Sequence, residues 1–241
     1  MIFRQLIDPV FDQLERDCTL LAELGLSLRL SLETHVHADH VTASGRLRER
    51  LGSQVAVGVH TGVANADRLL ADGDVVEVGD LHLEVVETPG HTAGCVSYLC
   101  HAQSMAFTGD ALLVRGCGRT DFQQGDAERL FRSVRERLFV LPDDWLLYPA
   151  HDYKGRTVTS VDEEKRCNPR LGLARSRDEF LGLMADLDLA YPKRIDVAVP
   201  ANLVSGLAPE AAAPPEPGGP VAKAMEQSGR QDAEHWGGTG I

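Results

Sequence analysis

The stretch LETHVHADHVTAS, residues 32–44, sets three histidines and one aspartate within six positions. Just upstream, LSLRLSLE alternates Leu26, Leu28, Leu30 and Leu32 with polar residues, the period of a half-buried strand, and that strand runs straight into Thr34 and His35. In an extended segment residues two apart point the same way. His35 and His37 can therefore converge on one point, while Asp39 and His40, past a turn, serve a neighbouring one. Imidazole and carboxylate together suit zinc, iron and manganese.

Working outward, the same grammar recurs. Asp8 followed by Pro9 reads as a helix start, and Val10, Leu14, Cys18 and Leu21 recur at helical spacing until Gly25 offers a stop. VVEVGDLHLEVVET reads as a hairpin turning at Gly79-Asp80, and its second strand delivers the chain to Pro89-Gly90-His91. CVSYLC and SMAFTGD are strand candidates, the second ending at Asp110, and WLLYPAHDY is a short apolar strand ending at His151. Four strand ends thus each carry a possible ligand or acid/base group on a loop, where catalytic groups concentrate. Helices fill the intervals: Asp126 caps a stripe of Leu130, Val134 and Leu138, and Ser160 with Glu163 and Ser176 with Glu179 have the spacing of capping boxes. Strands and helices in this order predict an α/β sandwich of sheets covered by helices. Residues 1–204 form the expected catalytic domain. Residues 205–241, rich in proline, alanine and glycine, are expected to be a flexible tail.

Composition limits what such a domain can do. With 36 acidic and 24 basic residues among 241 the formal charge is -12, which argues against nucleic acid or an anionic membrane as the main partner. A local basic pocket for a small anion remains compatible with it. No run approaches the roughly 18 apolar residues of a membrane span, and MIFRQLIDPV lacks the layout of a signal peptide, so a cytoplasmic, reducing setting is expected. The cysteines are odd in number, Cys18, Cys95, Cys100, Cys117 and Cys167, and lack a CxxC pair, so neither a disulfide framework nor a cysteine zinc site is indicated.

Any one of these histidines or aspartates alone is more often a hydrogen-bonded structural residue than a ligand. The whole set at strand ends is not readily explained as core chemistry, and metal binding is the expectation.

THVHADH, TPGHTAGC, FTGDALL and YPAHDY, in this order, resemble the metallo-β-lactamase superfamily, whose αββα sandwich holds metal at one edge. LETHVHADHVTASGRLRE, GHTAGCVSY, AFTGDALLVRGCGRTDFQQGD, YPAHDYKGRTVTSVDEEKRCNPRL and IDVAVPANL together resemble the persulfide dioxygenases, from about residue 1 to residue 204. The resemblance implies one Fe(II) per chain, held by His35, His91 and Asp110, a two-histidine, one-carboxylate set that leaves positions open for substrate and O2. His37, Asp39, His40 and His151 are then supporting residues, or the ligands of a second metal, and the sequence leaves both readings open. The implied reaction oxidises glutathione persulfide with O2 and water to sulfite and glutathione, with His151 counted among the catalytic groups. Tyr153 and Arg170 are the implied substrate contacts, with Arg115 as a further candidate cation and Arg119 as an organiser of the metal edge that is also a candidate for the substrate. Cys117 could touch the site or be a packed thiol.

MIFRQL passes straight to IDPVFDQL, where the family inserts a further strand pair, so a β-hairpin is expected to be missing from one sheet edge. The alternatives are a glyoxalase II-like zinc hydrolase of glutathione thioesters, which generally carries a larger helical C-terminal domain, and a non-catalytic metal-binding module partnered with a rhodanese-like sulfurtransferase. A homodimer is a further expectation.

Overall fold

The computed structural model describes residues 2–152 and 154–207. Among the described residues, ten strands and six α-helices run in the order β1 (Ile2–Ile7), α1 (Leu14–Glu23), β2 (Leu26–Leu32), α2 (Ser44–Leu51), β3 (Gln54–Gly58), β4 (Arg68–Leu70), β5 (Val75–Val78), β6 (Leu81–Glu87), β7 (Val96–Cys100), β8 (Met105–Gly109), α3 (Ala127–Ser133), β9 (Leu146–Pro149), β10 (Thr159–Ser160), α4 (Val161–Cys167), α5 (Arg177–Ala185) and α6 (Ile195–Asn202). One sheet has the order β1-β2-β3-β4 and is wholly parallel. The other has the order β10-β9-β8-β7-β6-β5, antiparallel except where β8 meets β9.

Three apolar clusters define the layers. Leu30, Leu32, Leu83, Val85 and Tyr98 pack between the two sheets. Leu21, Leu28 and Leu47 seal α1 and α2 onto the parallel sheet, and Leu99, Leu130, Leu147 and Phe180 seal α3 and α5 onto the mixed one. This is the expected αββα sandwich. The sheets are also stitched by polar bonds at the edge that carries the histidines: the Val96 N–H donates to the Thr34 carbonyl at 2.8 Å, and the Tyr98 hydroxyl to the Glu33 carbonyl at 2.7 Å.

The alternation in β2 hides a change of face. Arg4 pairs with Leu28 but Gln5 pairs with Leu30, so Arg29 is an extra residue, a bulge. Leu26 and Leu28 therefore face the helices while Leu30 and Leu32 face the other sheet. A single-face reading of the strand would miss this, because a one-residue slip moves every later side chain to the opposite side. A second bulge lies in β8, where Phe107 pairs with Tyr148 and Gly109 with Pro149, immediately before Asp110. Gly109 sits at φ 54, and a Cβ there would stand 2.7 Å from the Thr34 hydroxyl.

Asp8 is not the helix start that Asp8-Pro9 predicts. Helix α1 begins only at Leu14, after a short 3-10 turn at Phe11–Gln13, and Asp8 itself is at φ 50 with its carboxylate turned to Thr34. The capping signals elsewhere hold in graded form. Asp126 accepts from the Arg129 N–H, and Ser176 with Glu179 makes a full capping box. Ser160 caps Glu163, but the Glu163 side chain goes to Arg115 instead. No strand intervenes between β1 and α1, so β1 is the edge of a four-stranded sheet. Ser205, inside the span expected to be tail, is 2% exposed, and its carbonyl accepts from the Gly45 N–H at 2.8 Å; residues 208–241 lie outside the described residues.

Tyr98 offers a test of the stitching. Tyr98→Phe should lose about 1–2 kcal/mol, since the Glu33 carbonyl is left without its donor in a dry core, and chemical denaturation will measure it against unchanged metal content.

Candidate metal centre

The four strand ends meet at one edge of the sandwich. His35 follows β2, His91 the turn after β6, Asp110 the bulged end of β8, and His151 the end of β9. Ligand atoms of His35, His91 and Asp110 all lie within 4.8 Å of one another. Those of His37, Asp39, His40 and His151 do so separately. The sequence-derived set is thus brought together as two adjoining groups.

Each histidine's tautomer follows from what holds it. Thr34 gives its hydroxyl proton to Asp8 at 2.8 Å, so the same oxygen can only accept from His35 Nδ1, 2.9 Å away. His35 Nε2 is left unprotonated, its lone pair available to an ion. Burial, reinforced by His37, holds the His35 pKa well below the usual imidazole range and keeps the ring neutral, as a ligand must be. His91 Nδ1 donates to the Arg119 carbonyl at 2.6 Å, which turns Nε2 toward Asp110, 3.6 Å away. Gly118 packs directly on that ring: a Cβ there would sit 2.6 Å from Nδ1.

His151 bridges two carboxylates, with Nδ1 2.6 Å from Asp110 Oδ1 and Nε2 2.9 Å from Asp39 Oδ2. Burial opposes its charging, but the hydrogen bonds to Asp110 and Asp39 outweigh it and push the pKa up to about 11. The same contacts hold Asp110 below the usual carboxylate range against its burial, and Asp39 likewise through His151 and His40. Asp110 therefore keeps one oxygen for His151 and turns the other toward His91.

His37 lies beneath these groups, 1% exposed, its Nε2 3.2 Å from Asp8 and 3.7 Å from Glu33. Burial disfavours its charged form, but Asp8 and then Glu33 raise its pKa above the ordinary value. Burial, with Asp8 next, pushes Glu33 up to about 7, although its Oε1 accepts from the Thr42 and Ser44 hydroxyls at 2.5 Å each. Neither His37 ring nitrogen makes a well-formed hydrogen bond, and His40 Nε2 is also buried without one. Such unpaired buried nitrogens are costly; the residues that fit a divalent transition metal are His35, whose ring is held neutral, with His91 and Asp110, their ligand atoms within 4.8 Å of one another.

A cavity of about 810 Å³ opens over His35, His91, Asp110 and His151. Arg170 lines it, and its guanidinium donates to the Cys117 carbonyl at 3.2 Å. Arg115 reaches its rim, but the side chain is held by Glu163 at 2.6 Å. Arg119 is not a cation open to a substrate. It donates to both Asp121 oxygens at 2.6 Å and to the Ala190 and Leu189 carbonyls, which commits the fork. Cys117 is a buried wall thiol, its pKa pushed up to about 11 by burial despite Arg170. Tyr153 lies outside the described residues.

Four residues escaped sequence reasoning. Lys154 and Arg156 line the cavity just beyond His151, a signal that KGR could have given. Asp8 looked like a cap. Glu164 is fully buried, accepting from the Arg115 N–H, Thr159 and Asn168, and so fixes the turn that carries Cys117 and Gly118.

The metallo-beta-lactamase superfamily model matches residues 6–151, and the chain belongs to that superfamily. Human mitochondrial persulfide dioxygenase ETHE1 is 53% identical over 203 residues, which cover 84% of this chain and 79% of the relative. The crystal structure of ETHE1 from Myxococcus xanthus is 54% identical with a TM-score of 0.81, covering 84% of this chain and 88% of that one. Hydroxyacylglutathione hydrolase GloC of Haemophilus influenzae is 33% identical over 187 residues, 69% of this chain and 86% of the relative. Within the superfamily, the chain's family is that of the persulfide dioxygenases.

Two outcomes follow from the geometry. Asp8→Asn should weaken metal affinity about 10- to 100-fold by releasing Thr34 and His37, measured by competition with a chelator. In chelator-treated protein, the stabilisation from the raised His151 pKa is full below the ordinary histidine range and is lost as pH rises through about 11. His151→Gln should flatten that alkaline limb in denaturation curves taken across pH.

Proposed function

We propose that the chain is an iron-dependent persulfide dioxygenase that converts glutathione persulfide, O2 and water into sulfite and glutathione. The observation that carries this reading is the face formed by His35, His91 and Asp110 at the floor of a cavity edged by cations, with His151 engaged on both nitrogens beside it. Two neutral imidazoles and one carboxylate are the donor set of non-haem iron oxygenases. Bound there, ferrous iron would supply a redox centre with room for both sulfur and oxygen.

The chain's own residues do the rest. Thr34 and the Arg119 carbonyl hold His35 and His91 with Nε2 inward. Arg170, Lys154 and Arg156 offer positive charge to the carboxylates of a glutathione moiety. His151 carries protons against Asp110 and Asp39, and Asp39, with its side chain 52% exposed, connects the site to solvent for the protons that sulfite formation releases. The cytoplasmic setting, a homodimer and a rhodanese-like sulfur donor belong to the same proposal and rest on the sequence reading alone.

The second reading is a zinc hydrolase of glutathione thioesters. It is favoured by the group His37, Asp39, His40 and His151, which could hold a second ion, and by the similarity to GloC. A non-catalytic metal-binding module is the remaining alternative.

Asp110→Ala should abolish both metal binding and O2 uptake with glutathione persulfide. His40→Ala should keep one metal ion per chain and lose activity about 10- to 100-fold. Metal loss in both variants, read by elemental analysis, would contradict the single-ion assignment.

A further inference from the structure

The cavity's outer wall is built from a segment with little structure of its own. After α5 ends, residues 187–194 belong to no helix or strand, and among the described residues none of them donates a backbone–backbone hydrogen bond. Leu189, Ala190 and Pro192 nevertheless line the cavity. What seats them comes from the loop after Gly118. The Arg119 guanidinium, 17% exposed, donates to the Ala190 carbonyl at 2.8 Å and the Leu189 carbonyl at 3.3 Å. Asp121 clamps its other side with two bonds of 2.6 Å, and its plane lies 4.6 Å from the centre of the Phe122 ring. Phe122 in turn meets the Tyr191 ring edge-on at 5.4 Å, and the Tyr191 hydroxyl is tied to Asp196 at the start of α6.

We propose that Arg119 is a positioning residue that straps residues 188–192 over the cavity, making that segment the wall that selects the organic part of the substrate. Resting on the persulfide dioxygenase reading, this assigns size selection to an apolar wall and leaves recognition of carboxylates to Arg170 and its neighbours. One residue thereby serves two ends: its carbonyl orients His91 through the main chain, and its side chain shapes the space above. A side-chain change spares the first role and removes the second. Lysine keeps the positive charge near Asp121 but, lacking the planar fork, cannot bridge Asp121 and two carbonyls together.

The test uses Arg119→Lys and, at the other anchor, Tyr191→Ala, both in the full chain. Limited trypsin cleavage after Lys193 or Arg194, with no substrate present, should speed up at least about tenfold while cleavage elsewhere stays unchanged. In O2-uptake kinetics both variants should raise KM for glutathione persulfide about tenfold, with kcat within about threefold and metal content intact. KM for cysteine persulfide, too small to reach the wall, should not move. Unchanged cleavage at Lys193 and Arg194, or an equal rise in KM for both persulfides, would overturn the strap. Absence of O2 uptake by the unaltered chain would instead overturn the reading of the reaction, leaving the cleavage result to stand or fall separately.

Discussion

The arrangement depends on how charge is carried out of water at the sandwich edge. Asp110 is 8% exposed, and an ionised carboxylate placed there without partners would be prohibitive. It is tolerable because His151 takes one oxygen and the His35 and His91 rings surround the other. Each partner is held in turn: His91 by a main-chain carbonyl, His35 by Thr34 and Asp8, and His151 by Asp39. A hydrogen-bonded shell reaching three residues deep leaves every inward-facing donor atom fixed before any ligand arrives, which is what a metal centre requires of its protein.

Much of this was legible in the sequence because strands and their ends write themselves in periodic patterns. The alternation in LSLRLSL, the turn at Gly79-Asp80, SMAFTGD and the apolar LLYP predicted β2, the β5–β6 hairpin, β8 and β9, and so placed His35, His91, Asp110 and His151 at strand ends, while their sharing one edge was implied by the family resemblance. What the pattern could not carry were events of a single residue. The bulge at Arg29 sends the two halves of β2 to different cores. Asp8 has the chemistry of a helix cap, and only the positive φ that turns it toward Thr34 reveals another use. Buried Glu164 and its half-buried neighbour Glu163 both meet Arg115, but Glu163 takes the guanidinium while Glu164 accepts from the main-chain N–H together with Thr159 and Asn168, a difference that no local pattern carries.

Charge shows the same division between global and local. A chain of formal charge -12 lines its main cavity with Arg115, Arg119, Lys154, Arg156 and Arg170. Net charge argues against extended anionic partners, but it says nothing about which cations are available. Pairing decides that: Arg119 and Arg115 are committed to carboxylates and carbonyls, which leaves Arg170, Lys154 and Arg156 as the cations proposed for a substrate anion.

One iron-binding face, rather than a pair of metal sites, is proposed to do the chemistry. This is tested most directly by elemental analysis of anaerobically purified chain combined with O2 consumption on glutathione persulfide. One iron per chain, with one O2 taken up for each sulfite formed, is the expected result. Two zinc ions per chain, with hydrolysis of a glutathione thioester and no O2 uptake, would contradict it.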